Sequence, residues 1–208
     1  VVCPSETICQ NGECVVDGTP VSACGDLTAA NTRYQLTVDL SSNDGCIRIF
    51  GSNSTLNCQG HSITFAQNPL SQAVSGILVS GYNITVKNCI VQEASSSSGI
   101  RLGHSGIRVS DGGPSPRSVN LENNRVSIGA PTVFAPGGEG VSQDLGAGIF
   151  IDVRASVNAV ENIVFSGNSP PFINSRECDF CRLDRNSFNS SNSFTKFSNA
   201  WNTVVELN

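Results

Sequence analysis

The sequence predicts an all-β solenoid, and three observations carry that prediction. Short β-rich runs recur with matching asparagines, Ser, Thr, Asn and Gly take the surface places usually held by Lys and Glu, and no stretch keeps a helical apolar period. Of the 208 residues 38% are hydrophobic, only 14% are charged and 20 are Gly, so turns must be frequent and the surface weakly charged. Ser and Asn hydrogen-bond the nearby backbone in non-helical conformations and so favour turns and caps. The length fits a single all-β unit.

The runs are STLNCQGHSI (54–63), ITVKNCIV (84–91), VNLENNRVSI (119–128), NAVENIVF (158–165) and CRLDRNSF (181–188). In the last four an asparagine is followed two positions later by an apolar residue: Asn88 and Ile90, Asn124 and Val126, Asn162 and Val164, Asn186 and Phe188. A second element, Gly-Ile followed by an alternating strand, precedes them in GILVSG (76–81), GIRLGHSGIRV (99–109) and GIFIDV (148–153). Irregular spacing argues against a propeller, whereas a solenoid turns each insertion into a loop on one face.

In a parallel stack equivalent positions lie about 4.8 Å apart. Asparagines at the same turn of successive rungs can therefore pass side-chain amide hydrogen bonds along the stack while accepting a left-handed backbone. This predicts one ladder of Asn88, Asn124, Asn162 and Asn186, with Leu56, Val86, Ile90, Val126, Val160, Val164, Leu183 and Phe188 stacked inside. Cys58 and Cys89 occupy matching Asn-Cys contexts and are expected on adjacent rungs, within disulfide range.

Taken together, LNCQGHSI and GILVSGYNITVKNCIV resemble the parallel β-helix repeat family of the pectin-lyase-like superfamily, over residues 46 to 190. The resemblance implies a right-handed parallel β-helix. Polygalacturonase-like members share an Asn-Thr-Asp string, an Asp-Asp pair, a Gly-His-Gly and an Arg-Ile-Lys, and none of these occurs here; Gly-His-Ser at His61 and His104 is the nearest approach. Without paired carboxylates no acid and base are in place to cleave a glycosidic bond. A lyase would need a basic residue and a calcium site, for which Arg101, Arg108, Asp152 and Arg154 are candidates with too few acids near them in sequence. No catalytic residue, metal or cofactor is expected.

The cysteines divide the chain. Cys3, Cys9, Cys14 and Cys24 mark residues 1–26 as a small disulfide-rich N-terminal cap segment, followed by the β-helix over 27–208 with Cys46, Cys58, Cys89, Cys178 and Cys181. Nine cysteines are far more than a cytosolic chain carries, and imply secretion and disulfides. Only Cys178 and Cys181 have C-x-x-C spacing, which suits a local bridge better than a zinc ribbon. An odd count leaves one thiol over to bridge molecules. Sequons at Asn53, Asn83 and Asn189 imply N-linked glycans.

A net charge of -5 with two lysines excludes a phosphate-neutralising surface, hence nucleic acid. No apolar run approaches the roughly 20 residues of a membrane span. The first residues lack the basic start and apolar core of a signal peptide, so the chain reads as a mature form or a fragment. The strand-like 201–207 has no helix or charged turn to stop the stack, which favours end-to-end self-association. The expected function is a non-catalytic extracellular structural glycoprotein, a subunit of a fibril, sheath or wall. The alternative is a polysaccharide-active β-helix enzyme or a degenerate carbohydrate-binding relative.

Overall fold

The computed structural model describes residues 7–10, 13–16, 18–67, 74–94, 104–110, 117–129, 147–151, 155–160, 162–166, 173–175, 178–184, 186–189, 196–197 and 204–206. Apart from one antiparallel hairpin, Thr7–Gln10 with Glu13–Val16, every described strand lies in one of three parallel sheets. Sheet I stacks Gly25–Leu27, Ile47–Ile49, Ser75–Val79, Ser105–Val109, Ala147–Ile151, Ile173–Ser175 and Lys196–Phe197. Sheet II stacks Thr19–Val21, Arg33–Leu36, Thr55–Asn57, Ile84–Lys87, Arg117–Glu122, Ala155–Val160, Cys178–Asp184 and Val204–Glu206. Sheet III stacks Leu40–Ser41, Ser62–Phe65, Ile90–Glu93, Arg125–Ile128, Ile163–Ser166 and Ser187–Asn189. From residue 25 the chain visits I, II and III in turn, which makes a β-solenoid of triangular rungs. Two strands of the stack, Thr19–Val21 and Gly25–Leu27, fall inside the stretch read from sequence as a cap segment, so the parallel sheets begin before residue 27.

The core is a set of apolar columns, because each strand sends alternate side chains inward and the parallel register repeats them. Ile47, Ile77, Ile107 and Ile149 form one column from sheet I, Tyr34, Leu56, Val86, Leu121 and Ala159 another from sheet II, and Leu40, Ile63, Val91 and Val126 a third from sheet III. All are buried. Leu56, Val86 and Val126 are inside as the sequence predicts, but Ile90 is not. It stands between Ser62 and Arg125 in an outward column, and its neighbour Val91 takes the inward place. The backbone of Val160 shares its register with Glu122 and Asp184, its side chain lies outside the described residues, and Ala159 beside it is buried. Around Ile90 the alternation is ambiguous by one residue, and a slip of one reverses every face.

The recurring Gly-Ile element has a steric cause. Gly76, Gly106 and Gly148 fall at one position of sheet I, each between residues paired across the rungs. A Cβ on Gly76 would come within 2.5 Å of Val91 Cγ1 and 2.9 Å of both Phe65 Cδ1 and the Gly106 carbonyl oxygen. The glycine lets sheet III close against the start of sheet I.

Candidate functional site

The turn between sheets II and III is where the predicted ladder lies, and it holds two columns in place of one. In the buried column Asn124 Nδ2 donates to Asn162 Oδ1 at 2.9 Å and Asn162 Nδ2 donates to Asn186 Oδ1 at 3.0 Å. The same oxygens accept the backbone N–H of Asn124 and of Asn162, at 3.0 and 2.9 Å. Each remaining amide hydrogen reaches a carbonyl of the previous rung, on Val86, Leu121 and Ala159. Asn124 and Asn162, both buried, thus have their amide hydrogens and oxygen paired with neighbouring asparagines and the backbone.

Asn88 belongs to the other column. Its Nδ2 donates to Asn57 Oδ1 at 3.0 Å and its Oδ1 accepts from Asn123 Nδ2 at 2.8 Å. Asn88 and Asn123 have positive φ, whereas the residues that follow them, Cys89 and Asn124, do not, so the left-handed turn and the buried position are consecutive residues. Where the buried column meets Asn88's rung the residue is Cys89, whose N–H donates to Asn124 Oδ1 at 3.1 Å. Cys89 is bonded to Cys58 with a Cα separation of 4.7 Å, so the disulfide continues the line that the asparagines follow further on. A second disulfide, Cys24–Cys46, joins rungs at the entry to sheet I with a Cα separation of 4.6 Å. Cys9 and Cys14 are opposite residues of the hairpin, Cys178 and Cys181 lie in one strand of sheet II, and Cys3 lies outside the described residues.

The turn between sheets I and II carries two of the three sequons, at Asn53 and Asn83. Asn31, Asn53 and Asn83 all have φ near +53° and all are exposed. Asn53 Nδ2 donates to Asn31 Oδ1 at 3.2 Å and Asn83 Nδ2 donates to Asn53 Oδ1 at 3.0 Å. Thr55 and Thr85, the third sequon residues, are register partners. Phe50 and Tyr82, 41% and 44% exposed, lie on the same edge, where the Asn53 N–H donates to the Tyr82 carbonyl. Asn189 ends a strand of sheet III.

The outer face of sheet I has a depression of about 590 Å³, lined by Asp26, Asp44, Arg48, Leu78 and Arg108 beside the Cys24–Cys46 bridge. Asp26, Arg48, Leu78 and Arg108 are successive members of a single outward column. Arg48 grips both carboxylate oxygens of Asp26, at 2.6 and 3.0 Å, and lies 6.0 Å from the centre of the Phe50 ring. This arrangement can hold a polar, partly charged ligand, and it does not place two carboxylates on either side of a scissile bond. Of the other residues considered for a lyase, Arg101, Asp152 and Arg154 lie outside the described residues.

The two histidines are both tied to carboxylates. His61 Nδ1 lies 3.3 Å from Asp39 Oδ1, which also accepts the Ser62 N–H at 2.8 Å. The Ser62 N–H, and after it His61, hold the Asp39 carboxyl below the usual aspartate range. His104 Nδ1 lies 2.7 Å from Glu93 Oε1, while Glu93 Oε2 accepts the Gly129 N–H at 2.8 Å. The side chains of this second pair are 3% and 1% exposed, too enclosed to reach a polymer. Sequence reading missed it, although alternation from Val91 puts Glu93 at an inward position between Phe65 and the rung of Ile128. A charge at an inward position was the available signal. Among the described residues no three His, Cys, Asp or Glu side chains are grouped to hold a metal, and no helix is long and apolar enough to cross a membrane. No protein-family model, curated protein or solved structure matches the chain.

Proposed function

We propose that the chain is a secreted, non-catalytic structural glycoprotein, a right-handed parallel β-helix of the pectin-lyase-like kind that joins end to end as a fibril, sheath or wall subunit. The observation that carries the reading is the stitching of rung to rung by side chains. Two disulfides and three asparagine columns link successive rungs at both described corners of sheet II and at the entry to sheet I. Such links resist bending and unwinding, which a load-bearing rod needs and a catalyst does not. Disulfides support an oxidising compartment. Four of the nine cysteines are in the described bridges, which leaves five, an odd number, for further bonds. Light scattering and electron microscopy of the purified native protein test it. Filaments or concentration-dependent oligomers are expected, and a concentration-independent monomer overturns the reading.

The depression on sheet I favours one second reading, a carbohydrate-binding relative of the β-helix enzymes. Its mixed lining of two aspartates, two arginines and Leu78 suits a polar sugar. Calorimetric titration with neutral and acidic oligosaccharides separates the two, because saturable heat of binding is expected of a binding module only.

A further inference from the structure

We propose that Asn53 and Asn83 are alternative glycan sites, that a folded molecule carries one glycan between them, and that the preferred root is Asn83. The proposal rests on the reading of the chain as a secreted glycoprotein. The two sequons are superimposed, since Thr55 pairs with Thr85 and Asn83 Nδ2 donates directly to Asn53 Oδ1 at 3.0 Å. Their roots are therefore one rung apart, about 4.8 Å. A branched oligosaccharide is much wider than that spacing. Two of them leaving the same edge in the same direction would exclude each other from most of their conformations, a loss of freedom that opposes folding.

The two positions differ in what flanks them. Asn53 is the middle of the column, its Nδ2 engaged with Asn31 and its Oδ1 with Asn83, so an amide lies on either side of it. Asn83 is the last asparagine of the column. The register of Ile84 with Val119, extended back by one residue, sets the small, exposed Ser118 on the next rung. Glycan transfer forms a bond between Nδ2 and the anomeric carbon of the oligosaccharide. It breaks that carbon's bond to the diphosphate of a lipid carrier and releases one Nδ2 proton with the lipid diphosphate. The second Nδ2 hydrogen stays, and at Asn83 it preserves the donation to Asn53. Tyr82 adds an independent preference, because an exposed aromatic ring immediately before Asn83 offers an apolar face to the first sugar, whereas Ser52 precedes Asn53.

Trypsin makes the test direct. It cuts after Arg48 and after Lys87, with no Lys or Arg between them, so a single peptide from Ile49 to Lys87 carries both asparagines. The full chain is secreted from a eukaryotic host, reduced, alkylated and digested. Glycans are then removed enzymatically in heavy-oxygen water, which converts each occupied asparagine to a labelled aspartate. Fragmentation mass spectrometry is expected to find one label per peptide, at position 83. A doubly labelled peptide from folded protein overturns the exclusion, and a single label at 53 overturns the preference. No label at either position overturns the glycoprotein reading itself. In the Asn83→Gln variant occupancy of Asn53 is expected to rise at least tenfold, and an Asn53 that stays bare overturns the idea that the two sites compete.

Discussion

The two corners of sheet II use the same chemistry with opposite consequences. At the corner toward sheet III, Asn124, Asn162 and Asn186 stack inside the molecule; at the corner toward sheet I, Asn31, Asn53 and Asn83 stack in water. The bond lengths are alike. Burial is what separates them, since a buried polar group that loses its partner bears the full cost of desolvation, while an exposed one returns to water. The inner column is a structural necessity of its rung, and the outer one is a surface on which chemistry can be done.

The largest effect is expected from Asn162→Ala. It removes the acceptor of two Asn124 donors and the donor to Leu121 and Asn186, leaving several buried groups unmatched, for a loss of about 3–5 kcal/mol in denaturant unfolding. A loss below about 1 kcal/mol would mean that water enters the column and the contrast between the corners is false. Next comes the double variant Cys58→Ser with Cys89→Ser, which opens a loop closed over a sequence separation of 31 residues. The chain-entropy account puts its cost at about 3–4 kcal/mol, and equal stability of the bridged and reduced forms would show the bond to be redundant with the hydrogen bonds of its own rung. The smallest effect belongs to the outer corner. Asn53→Gly deletes two exposed hydrogen bonds but keeps the left-handed backbone at no steric cost, so its stability should stay within about 0.5 kcal/mol of the parent.

How far these columns could be read in advance depends on how each residue advertises its role. Asn124, Asn162 and Asn186 stood in matching contexts, and they share one column. Asn88 was set among them because it too precedes a short apolar strand, yet the tandem Asn123-Asn124 holds both columns at once, and Asn88-Cys89 aligns with that pair. A column can change from cysteine to asparagine without changing its geometry, and a reading by residue type misses the exchange. Ile90 failed for a related reason, since a run of consecutive apolar residues leaves the inward face undecided. The groove on sheet I was invisible for another: Asp26, Arg48, Leu78 and Arg108 are a full rung apart in sequence and meet only through the stack.

The columns also have a direction. In the buried one each amide donates to the rung ahead, from Asn124 to Asn162 to Asn186, whereas in both turn columns each donates to the rung behind, as Asn83 does to Asn53 and Asn123 to Asn88. The two directions meet on one rung, where Asn123 donates back to Asn88 and its neighbour Asn124 donates forward to Asn162. That rung holds the stack in both directions at once, the outer turn behind it and the buried amides ahead of it.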